Sequence, residues 1–195
     1  STRVNALFLS TAVLLNSEQL QPLYDWFHKT LRIVNLGGIN PDFTALACHG
    51  GSKEKVLAFL RAADIGIADV IVEKGMFDPQ QNLADDLPEA FRQSITKSFE
   101  GKEIIQEIKM VHQNTSGKQV AFDIDDESDG TQKLFSFAGP WLDTLENGRV
   151  LFIDELHDNL HPKLVEYLVQ LFHSNEHNPN NAQLIFTTHE TSILN

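Results

Sequence analysis

The chain has 195 residues, of which 42% are hydrophobic and 22% are charged, a composition that excludes a disordered or collagen-like protein. Its formal net charge of −12 argues against a generally basic surface, so nucleic acid is not indicated as a partner, although a local patch stays open. The single cysteine, Cys48, excludes an internal disulfide, and no apolar run approaches the roughly 20 residues of a membrane span. We therefore expect a cytoplasmic protein with no membrane contact.

Residues 1–103 are predicted to form a mainly helical arm or lid. Apolar residues at helical spacing predict helices over residues 6–16, 17–31, 53–64 and 88–99. The segment "IADVIVEK" is predicted to be a short strand, and the Gly, Asn and Pro of "NLGGINPDF" indicate a loop. The apolar segment "ALFLSTAVLL" lacks a strongly basic start, so we expect a core helix there and not a signal peptide.

Residues 104–195 follow a different pattern. "EIIQEIKMVH" and "KQVAFDI" flank "QNTSG" and predict a β-hairpin whose second strand turns Val120, Phe122 and Ile124 to one face. The rest of this region alternates helices with apolar strands. The predicted elements are a helix at residues 131–146 that Pro140 should kink, a strand at 150–153, a helix at 162–172 and the strand "AQLIFTT". The order strand, helix, strand predicts a right-handed parallel unit covered by helices, and thus an α/β fold.

Two acidic residues, Asp154 and Glu155, end one predicted strand, and Thr188 and His189 end the other. In parallel α/β sheets, ligands collect at the carboxyl ends of the strands, so these side chains should meet at one site. An adjacent acidic pair suits nucleotide hydrolysis, because one carboxylate can hold Mg²⁺ while the other activates a water. Taken alone, the pair could equally end the strand and begin a turn.

The segment "ESDGTQKLF" places Ser128 and Gly130 at the predicted start of a helix. A hydroxyl, unhindered backbone N–H groups and the positive helix end together bind phosphate. Alternatively, Ser128 caps the helix with Gln132 nearby and needs no ligand. This segment, the pair Asp154 and Glu155, and His189 follow one another along the chain. Together, in this order, they favour phosphate binding more strongly than the segment does alone.

Three segments carry a resemblance to a known family: "ESDGTQKLFSFAGPWLDTLENG", "VLFIDELHDNLHPKL" and "LIFTTHETSIL". They resemble the head of an ATP-binding-cassette (ABC) type AAA ATPase, in particular the heads of bacterial anti-phage and abortive-infection systems, relatives of the RecF, SMC and OLD heads. "ALFLSTAVLLNSEQLQPLYDWF" and "LAFLRAADIGIADVIVE" are similar to the helical arm of that family. The resemblance covers most of the chain and is strongest after Asp123.

The resemblance implies residues that serve a dimer. Ser128, Gly130 and Thr131 match the signature motif, which in this family closes on the ATP held by the opposite subunit. Asp158 matches the carboxylate of the D-loop, which crosses the dimer interface. We therefore expect self-association, as a homodimer or a higher oligomer, with composite nucleotide sites.

The resemblance also implies the chemistry. Asp154 and Glu155 match the Walker B motif, with Asp154 as the Mg²⁺ ligand and Glu155 as the catalytic base, and His189 matches the switch histidine. The implied function is ATP binding and hydrolysis with Mg²⁺ in anti-phage defence, alongside an effector such as a nuclease or toxin. Two alternatives stay open: a non-hydrolysing sensor or scaffold for an effector, and a DNA-end-binding repair ATPase head.

The implied fold is half of a P-loop NTPase of the ABC type, with a parallel sheet, a helical arm or lid insertion and a β-hairpin. Residues 104–195 would be the carboxy-terminal part of the ATPase domain. The sequence departs from the family at one point, because no segment matches G-x-x-x-x-G-K-[ST]. The nearest candidate, "HGGSKEK", has the wrong spacing and follows no apolar strand. We expect the chain to be inactive until a P-loop completes it.

Two metal-binding patterns compete with this interpretation. His157 and His161 have the spacing of zinc ligands on one helix face, but Pro162 in the first turn would leave both in a loop. The acidic segment "DDESDG" begins like a calcium loop, yet its twelfth position is Ser136, where a bidentate Glu is required. We favour neither metal.

Two further patterns have structural interpretations. Tyr24, Trp26 and Phe27 lie within one helical turn, and we expect them to pack in the core or arm and not to stack on bases. Cys48 lies beside His49, which raises the idea of a thiolate nucleophile. No flanking pattern supports that idea, so we expect a buried or idle thiol.

Overall fold

The computed structural model of the chain describes residues 7–35, 40–63, 66–84, 87–114, 116–158 and 160–191. The chain divides into two compact units, one from residues 1–39 and 140–195 and the other from residues 40–139. These boundaries differ from the sequence division at residue 103, because each sheet combines a strand from the first half of the chain with strands from the second half. The functional division into an arm and an ATPase part stays a prediction.

In chain order, the described elements are α1 (Phe8–Leu14), α2 (Gln21–Asp25), a π-helical turn (Trp26–Thr30), β1 (Leu31–Asn35), α3 (Asp42–Ala47), a second π-helical turn (Cys48–Ser52), α4 (Lys53–Ala62), β2 (Ile67–Met76), α5 (Pro79–Asn82), α6 (Glu89–Phe99), β3 (Glu103–Gln113), β4 (Gln119–Asp123), a 3₁₀ turn (Ile124–Asp126), α7 (Asp129–Asn147), β5 (Val150–Asp154), α8 (Pro162–His173) and β6 (Gln183–Phe186). Helix α7 contributes residues 129–139 to the second unit and its remaining residues to the first.

The first unit contains a parallel sheet in the order β1, β5, β6. The parallel pairing of β5 with β6 confirms the prediction from their sequence. Strand β1 pairs with the other edge of β5 and places Asn35 opposite Asp154. The prediction that a helix continues to Leu31 is wrong at its end, because pairing with β5 draws the five residues from Leu31 into the sheet.

Helix α8 and the end of α7 pack into the core of the first unit. The indole N–H of Trp141 donates to the carbonyl of Leu168 at 3.3 Å, and the ring of Phe172 lies edge-on to the Trp141 ring. Gly148 has a φ of 60°, and a Cβ there would lie 2.5 Å from the carbonyl oxygen of Asn180. The glycine therefore ends α7. Other fully buried side chains of this unit are Leu151, Ile153, Leu156 and Val165.

The helix predicted in "ALFLSTAVLL" is present as α1, but the prediction that it lies in the core is wrong. None of the residues of α1 is buried, and Leu14 is 82% exposed. Trp26 and Phe27 are also exposed, at 42% and 51%, so they do not pack in the core, and the alternative that they pack in an arm stays a prediction. Helices α1 and α2 contact each other, but the pair is too short to enclose the apolar side chains of both. Among the described residues, no helix is both long and apolar enough to cross a membrane.

The second unit contains an antiparallel sheet in the order β2, β3, β4. The β3–β4 hairpin has the predicted pairing, with Val120 opposite His112 and Phe122 opposite Met110. Ile124 begins the 3₁₀ turn and does not continue the strand as predicted, because the chain turns there toward α7. Helix α4 contacts β2, and its buried side chains are Val56, Leu57, Phe59 and Leu60.

A buried threonine compensates for the proline inside α7. Pro140 has no N–H, so the carbonyl of Ser136 loses its helical donor. Thr44 of α3 donates its hydroxyl to that carbonyl at 3.2 Å and accepts the N–H of Gly139 at 2.9 Å. A Cβ on Gly139 would lie 2.7 Å from the Thr44 hydroxyl, so this close approach requires glycine. The helix therefore continues on both sides of Pro140, and the kink expected there stays a prediction.

Candidate functional site

The carboxyl ends of β5 and β6 meet around one threonine. The hydroxyl of Thr187 donates to Oδ1 of Asp154 at 2.5 Å and accepts the N–H of Glu155 at 2.8 Å. The Thr187 N–H donates to the carbonyl of Ile153, and its carbonyl accepts the N–H of Leu156, both at 3.0 Å. Leu156 is fully buried. The segment after β5 is thus fixed to the segment after β6 on both sides of the acidic pair.

Glu155 adopts the left-handed backbone conformation, with a φ of 57°. Its carboxylate lies between two histidines: Oε1 is 3.2 Å from Nε2 of His189, and Oε2 is 3.4 Å from Nδ1 of His157. The two imidazole rings lie edge to face with centroids 5.6 Å apart. The structure therefore brings Asp154, Glu155 and His189 to one edge of the sheet, while their catalytic roles stay predictions.

The site is open to water. The side chain of His189 is 84% exposed, that of Glu155 is 41% exposed and that of His157 is 27% exposed. Solvent screens charge interactions at such exposure, so these contacts add little to the stability of the fold. The side chains are available to contact a molecule that enters the site.

The segment around Ser128 forms the start of α7 in the second unit. The Ser128 hydroxyl accepts the N–H of Thr131 at 3.2 Å and is hydrogen-bonded to the Thr131 hydroxyl at 2.9 Å. The side chain of Gln132 donates to the carbonyl of Glu127 at 2.9 Å. Ser128 is therefore an N-cap with Gln132 nearby, as one interpretation of the sequence predicts. Ser128 is also exposed, and Gly130 lies in the first turn of the helix.

Comparison with protein-family models shows the family of the chain. The family model described as "AAA domain, putative AbiEii toxin, Type IV TA system" matches residues 12–195, which is nearly the whole chain. The chain belongs to this family. It is an AAA domain of an ATPase-type, nucleotide-binding family, which confirms the class expected from the sequence. A search of the curated proteins returns no match to the chain.

Asp154 of this AAA domain fits the Mg²⁺ that an ATPase uses. Protein-bound Mg²⁺ usually takes one or two carboxylates and completes its coordination with waters and substrate phosphates. Asp154 is exposed at the strand end, and the hydrogen bond from Thr187 orients its carboxylate. Within the ranges that the structure describes, no group of three or more His, Cys, Asp or Glu side chains could hold a metal. A single oriented carboxylate suits a cation that is carried by the nucleotide.

The structure also places His161, the segment "HGGSKEK" and Cys48, for which the sequence suggested other functions. His161 caps α8 through Nδ1, which accepts the N–H of Lys163 at 3.3 Å. In "HGGSKEK", helix α3 precedes the glycines, whereas a P-loop follows a strand, and Lys53 pairs with Asp69 at 2.7 Å. Cys48 is buried as expected, and burial raises the pKa of its thiol to about 11.

Sequence reasoning missed two residues of the site. The spacing of His157 indicates only a zinc ligand, although its ring contacts Glu155, and the pattern around Thr187 predicts only the end of a strand. The signal for Thr187 was its place at the end of an apolar strand next to the acidic pair. Asp158 lies in the turn after β5, where its N–H donates to the carbonyl of Glu155 at 3.0 Å, and its D-loop role stays a prediction.

Proposed function

We propose that this AAA domain is an ABC-type head that binds and hydrolyses ATP with Mg²⁺ once a P-loop completes the site. The supporting observation is the Glu155 carboxylate, which follows the oriented Asp154 in the chain and lies within hydrogen-bonding distance of His189. A carboxylate in this setting can accept the proton of an attacking water. Bound Mg²⁺ would neutralise developing charge on the phosphates and would be held by Asp154.

His189 contacts the nucleotide in this proposal. The His189 side chain is 84% exposed, so its Nδ1 can meet the γ-phosphate while Nε2 stays near Glu155. A histidine that donates to the γ-phosphate stabilises the charge that develops during transfer. The contact between His189 and Glu155 would then depend on whether a γ-phosphate is bound beside Glu155.

A second copy completes the site. Ser128, Gly130 and Thr131 lie at the exposed start of α7, whose N–H groups and positive end suit a phosphate of the partner's ATP. Asp158 would lie at the interface between the two heads. The family's description refers to a toxin and a toxin–antitoxin system, which supports a role in abortive infection with an effector nuclease or toxin.

The test is Glu155→Gln in the protein that carries a P-loop. The amide keeps the shape of the side chain but cannot accept a proton, so we expect turnover to fall by about 10²-fold or more while ATP binding persists. The variant should accumulate as an ATP-bound dimer in sedimentation. Glu166→Gln, the same change at an exposed position on α8, is the control and should leave turnover intact. Unchanged turnover in Glu155→Gln would favour the sensor or scaffold instead.

A further inference from the structure

The backbone fixes the position of His157. Leu156, the residue before it, is fully buried and is bonded through its N–H to the carbonyl of Thr187. The carbonyl of His157 accepts the N–H of Leu160 at 3.1 Å, and Leu160 is 8% exposed. Two buried leucines thus hold the turn that carries the imidazole, so the ring faces the site because of the fold.

One nitrogen of His157 faces two groups with opposite requirements. Nδ1 lies 3.4 Å from Oε2 of Glu155, which accepts hydrogen bonds, and 3.4 Å from the backbone nitrogen of His189, which donates one. A ring nitrogen that carries a proton donates, whereas one with a lone pair accepts, so Nδ1 can serve one partner at a time. Both separations exceed the usual range of roughly 2.7–3.2 Å, so the nitrogen lies between two bonding positions.

We propose that His157 is a positioning residue, which couples the Glu155 carboxylate to the main chain at His189 through Nδ1. With a lone pair on Nδ1, His157 accepts the His189 N–H and leaves Oε2 of Glu155 able to accept a proton from water. With a proton on Nδ1, His157 donates to Oε2 and occupies an oxygen that the base needs. These two arrangements are the two tautomers of a neutral imidazole. This inference rests on the proposed function, because Glu155 acts as a base only if the domain hydrolyses ATP.

Three substitutions separate this role from simple packing. His157→Asn places an amide near the position of Nδ1, where it can donate or accept. His157→Gln carries the amide one bond farther, near the position of Nε2, and His157→Ala removes the polar group. His161→Ala is the matched control, because His161 caps α8 and has no part in the coupling. Circular dichroism of each variant verifies that the fold is kept.

The first measurement does not depend on ATP hydrolysis. We would record the NMR signals of the His189 backbone amide and of the Glu155 side-chain carboxylate in the wild type and each variant. We expect His157→Ala to shift both signals and His157→Asn to return both toward the wild type. His157→Gln should fail to return them, and His161→Ala should leave both in place. Signals that do not move in His157→Ala would overturn the proposal.

The second measurement is ATP turnover. We expect His157→Ala to lower kcat by about tenfold and His157→Asn by less than about threefold, the range set by one hydrogen bond. KM should not change, because His157 orients the base and does not bind ATP. A variant that raises KM and keeps kcat would also overturn the proposal. A wild type without ATP turnover would contradict the proposed function alone, and the NMR coupling would still decide whether His157 positions Glu155 and His189.

Discussion

The hydroxyl of Thr187 is hydrogen-bonded to Oδ1 of Asp154 at 2.5 Å, across the ends of two neighbouring strands. The same hydroxyl accepts the N–H of Glu155 at 2.8 Å. A hydroxyl has one proton to donate and two lone pairs, so it satisfies both partners without conflict. One uncharged side chain after β6 therefore bonds to both acidic residues at the end of β5.

We expect Thr187→Val to raise the Mg²⁺ concentration for half-maximal ATP turnover by about tenfold, because Asp154 loses the donor that orients it. Valine keeps the shape of the side chain, so the sheet should remain intact. Thr187→Ser retains the hydroxyl and should behave like the wild type. A titration of Mg²⁺ at fixed ATP checks this prediction. Equal Mg²⁺ requirements for Thr187→Val and the wild type would contradict it.

Ser128 offers a way to separate capping from phosphate contact. Ser128→Asp keeps a good N-cap, so the melting temperature should hold, but its negative charge should repel a partner's phosphate and prevent the ATP-dependent dimer. Ser128→Asn is the matched neutral cap and should preserve more of the dimer. Sedimentation with ATP, combined with thermal unfolding, measures both effects. If Ser128→Asp dimerises as well as the wild type, Ser128 has only the capping role that the structure already contains.

Thr44 and Pro140 should be energetically coupled. We expect Thr44→Val to lower the free energy of unfolding by about 2–3 kcal/mol, because the Ser136 carbonyl and the Gly139 N–H both lose a partner. Pro140→Ala supplies an N–H for that carbonyl, so Thr44→Val should cost less in this background. Urea unfolding of the double-mutant cycle measures the difference. Additive effects would mean that the hydroxyl does not replace the donor that proline lacks.

The free energy of unfolding should also depend on Cys48 at alkaline pH. Burial raises the pKa of its thiol from 9.0 to about 11, although nearby Lys53 opposes the shift. Between these values the unfolded chain releases a proton that the folded chain keeps. The stabilisation is therefore complete below pH 9 and is lost toward pH 11, by on the order of 1–3 kcal/mol. Urea unfolding at several pH values checks this loss, and Cys48→Ala should reduce it.

Periodicity predicted the second half of the chain well because its elements are long or fully apolar. Helix α8, for example, buries Val165, Leu168 and Leu171 at helical spacing. The same reasoning failed for α1, because periodicity identifies an apolar face but does not reveal what covers it. Strand β1 has only five residues, and the strand that pairs with it lies far along the chain. A short local pattern cannot identify such a distant partner.

The sequence predicted the residues of the candidate site that lie at the strand ends. Glu155 and His189 meet because β5 and β6 are neighbouring parallel strands, which the order of elements implies. The contact of His157 depends on the left-handed turn at Glu155. A glutamate gives no sign of that conformation in a sequence, since glycine and asparagine are the residues that usually adopt it.

The backbone conformation of Glu155 also limits how this position can evolve. At a φ of 57°, asparagine would be accommodated at least as well as glutamate, whereas a β-branched residue would strain the turn. An asparagine would keep the N–H that donates to Thr187 and remove the carboxylate. One substitution would thus remove the proposed base and keep the backbone of the turn.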